Sequence, residues 1–228
     1  MKFISPLLFF LISGFALAQT QKASNTKTQT PLDTKAQRTS YGFGVLVAQN
    51  LKAQTGDSLD LEAFYRGIRD AYQGQALQIK KEECEGLVQA HVQSFNKRKL
   101  ERIKRGSLDF LEKNKLNADV KTTVSGLQYK VISTGTGVSP TTSNRVTVHY
   151  TGKLIDGTIF DSSVQRGQPA TFAVTGVIRG WTEALQLMHE GDKWILYIPQ
   201  ELGYGANGNG QIPPYAALIF ELELIKVN

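Results

Sequence analysis

At 228 residues the chain exceeds one average domain of about 150 residues, so two unequal modules are expected. Hydrophobic residues make up 41% and charged residues 20%, which excludes disorder as the main theme. A single cysteine, Cys84, excludes an internal disulfide and a cysteine zinc site, and the formal charge of +6 is unevenly held. Residues 19–118 carry 17 Lys and Arg against 11 Asp and Glu, whereas residues 119–228 carry 8 against 9.

The chain opens on Lys2, then an uncharged stretch rich in Leu, Phe and Ile that ends in Ala16-Leu17-Ala18. Such a basic start, apolar middle and Ala-x-Ala end predict a signal peptide over residues 1–18, cleaved after Ala18. The apolar run, interrupted by Pro6 and Gly14, falls short of the roughly 20 residues that span a bilayer, so an uncleaved anchor is the weaker alternative. Export to the periplasm is the expected outcome, with outer-membrane association or release left open. Residues 19–40, rich in Thr, Gln, Lys and Ser without apolar periodicity, are expected to form a flexible lead-in.

Residues 41–118 read as helical, since no proline occurs from Leu32 to Ser139. Tyr41 to Leu51 has a short helical pattern through Val45, Leu46 and Ala48. Asp60 is placed to cap a second helix in which Phe64, Ile68 and Ala71 or Tyr72 share a face. A third pattern runs from Lys81 through Cys84, Val88, Val92, Phe95, Leu100 and Ile103, to Leu111 and beyond, with Gly106 expected to bend or interrupt it. So little apolar material makes a marginal core by itself, so these helices are expected to form a homodimer module, the alternative being that they pack on the second domain. The run Lys97, Arg98, Lys99, Arg102, Lys104 and Arg105 reads as a solvated helix face, the alternative being a patch that attracts nucleic acid or anionic lipid. No base-reading motif accompanies it, so no specific nucleic-acid partner is expected.

From residue 119 the period changes. Gly126 to Ser133, Val146 to Leu154, Lys193 to Pro199 and Ala217 to Val227 alternate apolar and polar residues, as half-buried antiparallel strands do. Asp156-Gly157 predicts a two-residue hairpin that folds the second of these strands back onto Thr158 to Asp161. Between Ile178 and Met188 the spacing turns helical, with Trp181, Ala184, Leu185 and Met188 on one side. The expected class is α+β: a curved antiparallel sheet wrapped on one short helix, preceded by an all-helical domain.

The residues for ordinary catalysis are scarce. His91, His149 and His189 lie far apart and form no metal-binding spacing, and neither a GxSxG nucleophile elbow nor a GxxxxGK[ST] phosphate loop occurs. His149, out of phase with Tyr150, is expected at the surface, and Cys84 in the helical packing. No cofactor and no metal are expected.

Aromatic and aliphatic residues around turns are plentiful instead. VHYTGKLIDGTIFDSS (Val148 to Ser163), GVIRGWTEALQLM (Gly176 to Met188), LGYGANG to IPP (Leu202 to Pro214) and the closing LIFELELIKV stand in the order and spacing of the FKBP-type peptidyl-prolyl isomerases, which residues 119–228 resemble. SYGFGVLVAQNL (Ser40 to Leu51) and LEAFYRGIRDAYQG (Leu61 to Gly74) resemble the amino-terminal domain of the macrophage-infectivity-potentiator and FkpA branch of that family.

The resemblance implies a proline pocket floored by Trp181 and walled by Tyr150, Phe160, Phe172, Val177, Ile178, Ile212 and Phe220. Asp161 would accept a hydrogen bond from the Tyr150 hydroxyl, and the Ile178 amide and Tyr204 hydroxyl would bind substrate carbonyls. Residue composition alone leaves plainer alternatives. Phe172, Val177 and Phe220 suit a core, and Asp161 before Ser162-Ser163 suits a turn cap. Tyr204, bracketed by Gly203 and Gly205, suits a site.

Two departures from the family pattern stand at the rim. Ala170 replaces an aromatic found in many eukaryotic members, and the loop Asn207 to Gln211 is a residue shorter and lacks their histidine. Binding of macrolide inhibitors is therefore expected to be weakened. The implied function is an exported isomerase that accelerates proline-limited folding of unfolded exported proteins with X-Pro bonds, with chaperone activity. The alternative is a dimeric holdase or surface-interaction protein with incidental isomerase activity.

Overall fold

The computed structural model describes residues 31–56 and 59–228. The expected signal peptide and residues 19–30 of the lead-in lie outside the described residues. The chain divides into two compact units between Ala48 and Gln49.

Helix α1 spans Lys35–Thr55, well beyond the pattern read from Tyr41 to Leu51 and into the expected flexible lead-in. Its start is fixed by a reciprocal cap: Gln37 N–H donates to Thr34 Oγ1 at 3.1 Å, and Thr34 N–H donates to Gln37 Oε1 at 2.9 Å. Helix α2, Leu61–Tyr72, begins at Asp60, whose carboxylate accepts the Ala63 N–H at 2.9 Å.

Helix α3 runs uninterrupted from Lys81 to Asn114 through Gly106, so of the bend or interruption expected there the interruption does not occur. A helical glycine costs about 1 kcal/mol relative to alanine. Tertiary burial on both sides offsets it, since Ser107, Leu111 and Asn114 are buried and Ile103 packs on the core of the sheet. These four recur at helical spacing, so one stripe of α3 docks on the sheet. Asn114 donates to Gln128 Oε1 at 2.8 Å, and Gln128 donates to the Leu111 carbonyl at 2.9 Å. The module expected at 119–228 therefore shares its core with the end of α3.

Seven strands follow: β1 Lys121–Thr122, β2 Gln128–Ser133, β3 Arg145–Leu154, β4 Ile159–Ser162, β5 Ala170–Ala173, β6 Lys193–Ile198 and β7 Leu218–Val227. They form one antiparallel sheet of order β1-β2-β6-β7-β3-β4. Strand β5 pairs with the first half of β3, through Val146 opposite Phe172, while β4 pairs with its second half. The β3–β4 connection is four residues rather than two: the Leu154 N–H bonds the Thr158 carbonyl, and the Thr158 N–H bonds Asp156 Oδ1 at 2.9 Å. The Asp side chain builds this turn, with Gly157 at φ +88°.

Along β3, Val146, Val148 and Tyr150 turn inward, as do Leu218, Phe220, Leu222 and Leu224 on β7. Helix α4, Arg179–Leu187, covers this face with Trp181, Ala184 and Leu185. Burying a Leu of this kind contributes about 1.5–3 kcal/mol.

Candidate active site

Where α4 begins, the sheet and helix part to leave an open cleft of about 680 Å³. Every residue expected at the pocket lines it: Tyr150, Phe160, Asp161, Phe172, Val177, Ile178, Trp181, Tyr204, Ile212 and Phe220. Gly176, Asn209, Gly210 and Gln211 complete the rim.

Trp181, one turn into α4, is the floor and is only 4% exposed. Tyr150, Phe172 and Phe220 meet its ring edge-on at centroid distances of 5.1, 6.0 and 5.2 Å. Phe160 packs edge-on against Phe220 at 5.5 Å. This aromatic wall reaches the backbone at Gly152, where an added Cβ would come within 2.6 Å of the Phe220 ring and 2.7 Å of the Phe160 ring. Glycine at that point of β3 lets both rings close on the cleft.

The turn after Asp161 is closed by Ser162, whose Oγ accepts the Gln165 N–H. The Asp161 carboxylate accepts the Tyr150 hydroxyl at 2.6 Å. Arg166 binds the other carboxylate oxygen and also donates to the Tyr150 hydroxyl oxygen at 2.9 Å, with its guanidinium 5.6 Å from the Tyr150 ring centre. Arg166 was missed in the sequence. Its signal was its isolation, as the lone cation between Lys153 and Arg179, five residues after Asp161.

Burial raises the Asp161 pKa, but hydrogen bonds from Tyr150 and Arg166 and the Arg166 charge outweigh it and hold the carboxyl below its usual range. Burial, followed by the bond to Asp161, pushes the Tyr150 phenol up despite the opposing bond from Arg166. The depressed acid is ionised, and its contribution present, above the ordinary carboxylate range, and is lost as pH falls through its lowered value. The raised phenol stays neutral past about pH 10, its ordinary value. The kcat/KM for a prolyl peptide is thus expected to be flat from about pH 5 to 9. A bell-shaped profile within that window would contradict the assignment.

Donors of cleft-lining residues that bond nothing among the described residues include the Ile178 amide just before α4, the hydroxyl of half-buried Tyr204 and the buried indole Nε1–H of Trp181. Apolar rings, an Asp161 carboxylate neutralised by Arg166 and several free donors suit a neutral, polarised ligand such as an amide. Among the described residues no cluster of His, Cys, Asp and Glu could hold a metal ion.

Residues 137–225 match the family described as FKBP-type peptidyl-prolyl cis-trans isomerase, and residues 36–131 match the domain amino terminal to such isomerases. The FKBP-type 22 kDa peptidyl-prolyl cis-trans isomerase of Escherichia coli K12 is 44% identical over 204 residues, covering 88% of this chain and 99% of that protein. The chain belongs to the FKBP-type peptidyl-prolyl cis-trans isomerases. The outer membrane protein MIP of Legionella longbeachae is 39% identical over 225 residues, covering 95% of this isomerase and 94% of that protein. The crystal structure of FkpA from Escherichia coli superposes with a TM-score of 0.68 at 32% identity, covering 87% of this isomerase and 99% of that chain.

Proposed function

We propose that the Trp181-floored cleft holds the X-Pro bond of unfolded exported proteins and eases it through its twisted state. Turning a prolyl bond meets a barrier of about 18–20 kcal/mol, because twisting destroys amide resonance, and spontaneous exchange takes tens of seconds. The twisted amide is less polarised than the planar one, so a water-poor aromatic cleft favours it over the ground state. Bringing tens of seconds down to milliseconds takes about 10⁴-fold, or roughly 5.5 kcal/mol. In this reading the proline ring sits on Trp181, the Ile178 N–H and Tyr204 hydroxyl hold the flanking carbonyls, and Asp161 with Arg166 fixes Tyr150. No proton is exchanged. The observation that carries the reading is the cleft itself, walled by aromatic rings, with its one carboxylate, Asp161, already neutralised by Arg166.

Export rests on the Ala16-Leu17-Ala18 ending of the leader and on the likeness to a relative named for the outer membrane. A macrolide inhibitor would meet only a methyl group at Ala170 and a short Asn207 to Gln211 rim, so weakened affinity is part of the proposal.

The alternative of a dimeric binding module is favoured by exposed apolar side chains on the helices: Phe43 and Leu46 on α1, Tyr65 and Tyr72 on α2, and Leu87 and Val88 on α3. A second copy of the chain would cover them, in the manner of a homodimer through residues 41–118. The two readings are compatible, and one preparation tests both. The full chain is expected to speed refolding of a proline-limited secreted protein and to run at twice the chain mass in light scattering. Refolding at the spontaneous rate would sink the folding role, and a monomer at micromolar concentration would sink the dimer.

A further inference from the structure

The rim that carries Tyr204 and Ile212 is secured from outside the sheet. The chain from Gly205 to Ala217 returns to β7 through Pro213-Pro214-Tyr215, and Tyr215 alone among the described non-glycine residues has a positive φ, +63°. Left-handed backbone at an aromatic residue is strained and persists only where its surroundings fix it. Here they are three. The Tyr215 N–H donates to the Gly205 carbonyl at 3.0 Å, one residue from Tyr204. The Lys104 ammonium of α3 lies 5.3 Å from the Tyr215 ring centre. Ser107 of α3, 5% exposed, accepts the N–H of Ala217 at 2.9 Å, and Ala217 is itself 1% exposed.

We propose that Lys104 and Ser107 of α3 are positioning residues for the isomerase cleft, clasping Tyr215 and Ala217 so that Tyr204 and Ile212 stand where substrate meets them. The proposal rests on the reading of the cleft as the prolyl-peptide site. Without the Ser107 hydroxyl, the buried Ala217 N–H has no acceptor, and it regains one only by pulling the loop base toward water. Without the Lys104 cation, the ring that fixes the strained residue loses its external hold. Either loss lets Tyr215 relax, breaks its bond to Gly205 and moves Tyr204. Wall displacements of about 1 Å in a positioned site cost up to 10²-fold in rate. Because Tyr204 holds the flanking peptide while Trp181 holds the proline, the effect falls on KM more than on kcat.

The test uses the full chain and a prolyl tetrapeptide. Ser107→Ala is expected to raise KM by about threefold to tenfold with kcat within about twofold, and Lys104→Met by about twofold to fivefold. Lys104→Arg, which keeps the cation, is expected to restore the parent KM. Amide hydrogen exchange is expected to quicken at least tenfold at Tyr215 and Ala217 in Ser107→Ala, while the Leu222 amide at the centre of β7 is unchanged. If Ser107→Ala quickens Leu222 as much as Ala217, the hydroxyl serves general stability and the proposal is overturned. It is overturned equally if both loss variants keep the parent KM. Lys104 is exposed, so its variants decide the matter if Ser107→Ala does not fold. Tyr204→Phe runs alongside: a raised KM there with parental values in the clasp variants removes the clasp alone, whereas an unchanged KM in Tyr204→Phe removes the cleft reading and the clasp with it.

Discussion

Replacing Trp181 by Ala is expected to abolish measurable isomerase activity, at least 10²-fold in kcat/KM, and to lower stability by about 3–5 kcal/mol. The indole fills the space between α4 and the sheet and is the shared neighbour of Tyr150, Phe172 and Phe220. Truncation leaves a void that three rings cannot fill without leaving the cleft walls. For a chain of this size each kcal/mol moves Tm by about 2–4 °C, so the melt is expected to fall by roughly 6–20 °C. The assay belongs below that lowered midpoint, so that lost chemistry is not confused with lost fold. Trp181→Phe separates the two effects. The indole Nε1–H bonds nothing among the described residues, so the phenyl variant forfeits no hydrogen bond. It is expected to recover most of the stability and part of the activity. Full activity in Trp181→Ala would refute the floor assignment.

The second large effect is expected at Asp161, and it has the opposite profile. Asp161→Ala should lower kcat/KM by at least tenfold while moving Tm by no more than a few degrees. Its side chain is 44% exposed and that of its partner Arg166 is 47% exposed, so solvent screens the ion pair and its loss costs little stability. The carboxylate nevertheless sets the direction of the Tyr150 hydroxyl. With it gone, that hydroxyl keeps only Arg166, and the ring above Trp181 is free to tilt. Asp161→Asn, which keeps an acceptor, is expected to fall between the variant and the parent. Unchanged kcat/KM in Asp161→Ala, measured with a prolyl tetrapeptide, would remove this corner from the mechanism.

The sheet and the cleft were legible in the sequence for different reasons. Long strands such as β3 and β7 bury one face, so period-two alternation marks them. Strands β1 and β5, at two and four residues, are too short to show a period, and β5 is held in place by Phe172 opposite Val146. The ten pocket residues came from motif order rather than periodicity, and all ten converge on one cleft. Arg166 escaped because its role depends on a turn that brings it back to Asp161. The start of α1 was misplaced because the Thr34 and Gln37 cap lies in a polar stretch without apolar period. Gly106 looked like a bend or break because local propensity is a weak prior, and the packing of Ile103 and Leu111 overrides it.

That uninterrupted helix also acts as a ruler. From Lys81 to Ser107, where α3 meets the rim loop, it advances 1.5 Å per residue, or about 39 Å. A stretched polypeptide gains at most about 3.3–3.6 Å per residue, so a client must extend for roughly a dozen residues to touch the far tip and the rim together. A tetrapeptide at the rim is therefore too short to reach the far tip of α3, and any segment that touched both would have to be long and unstructured.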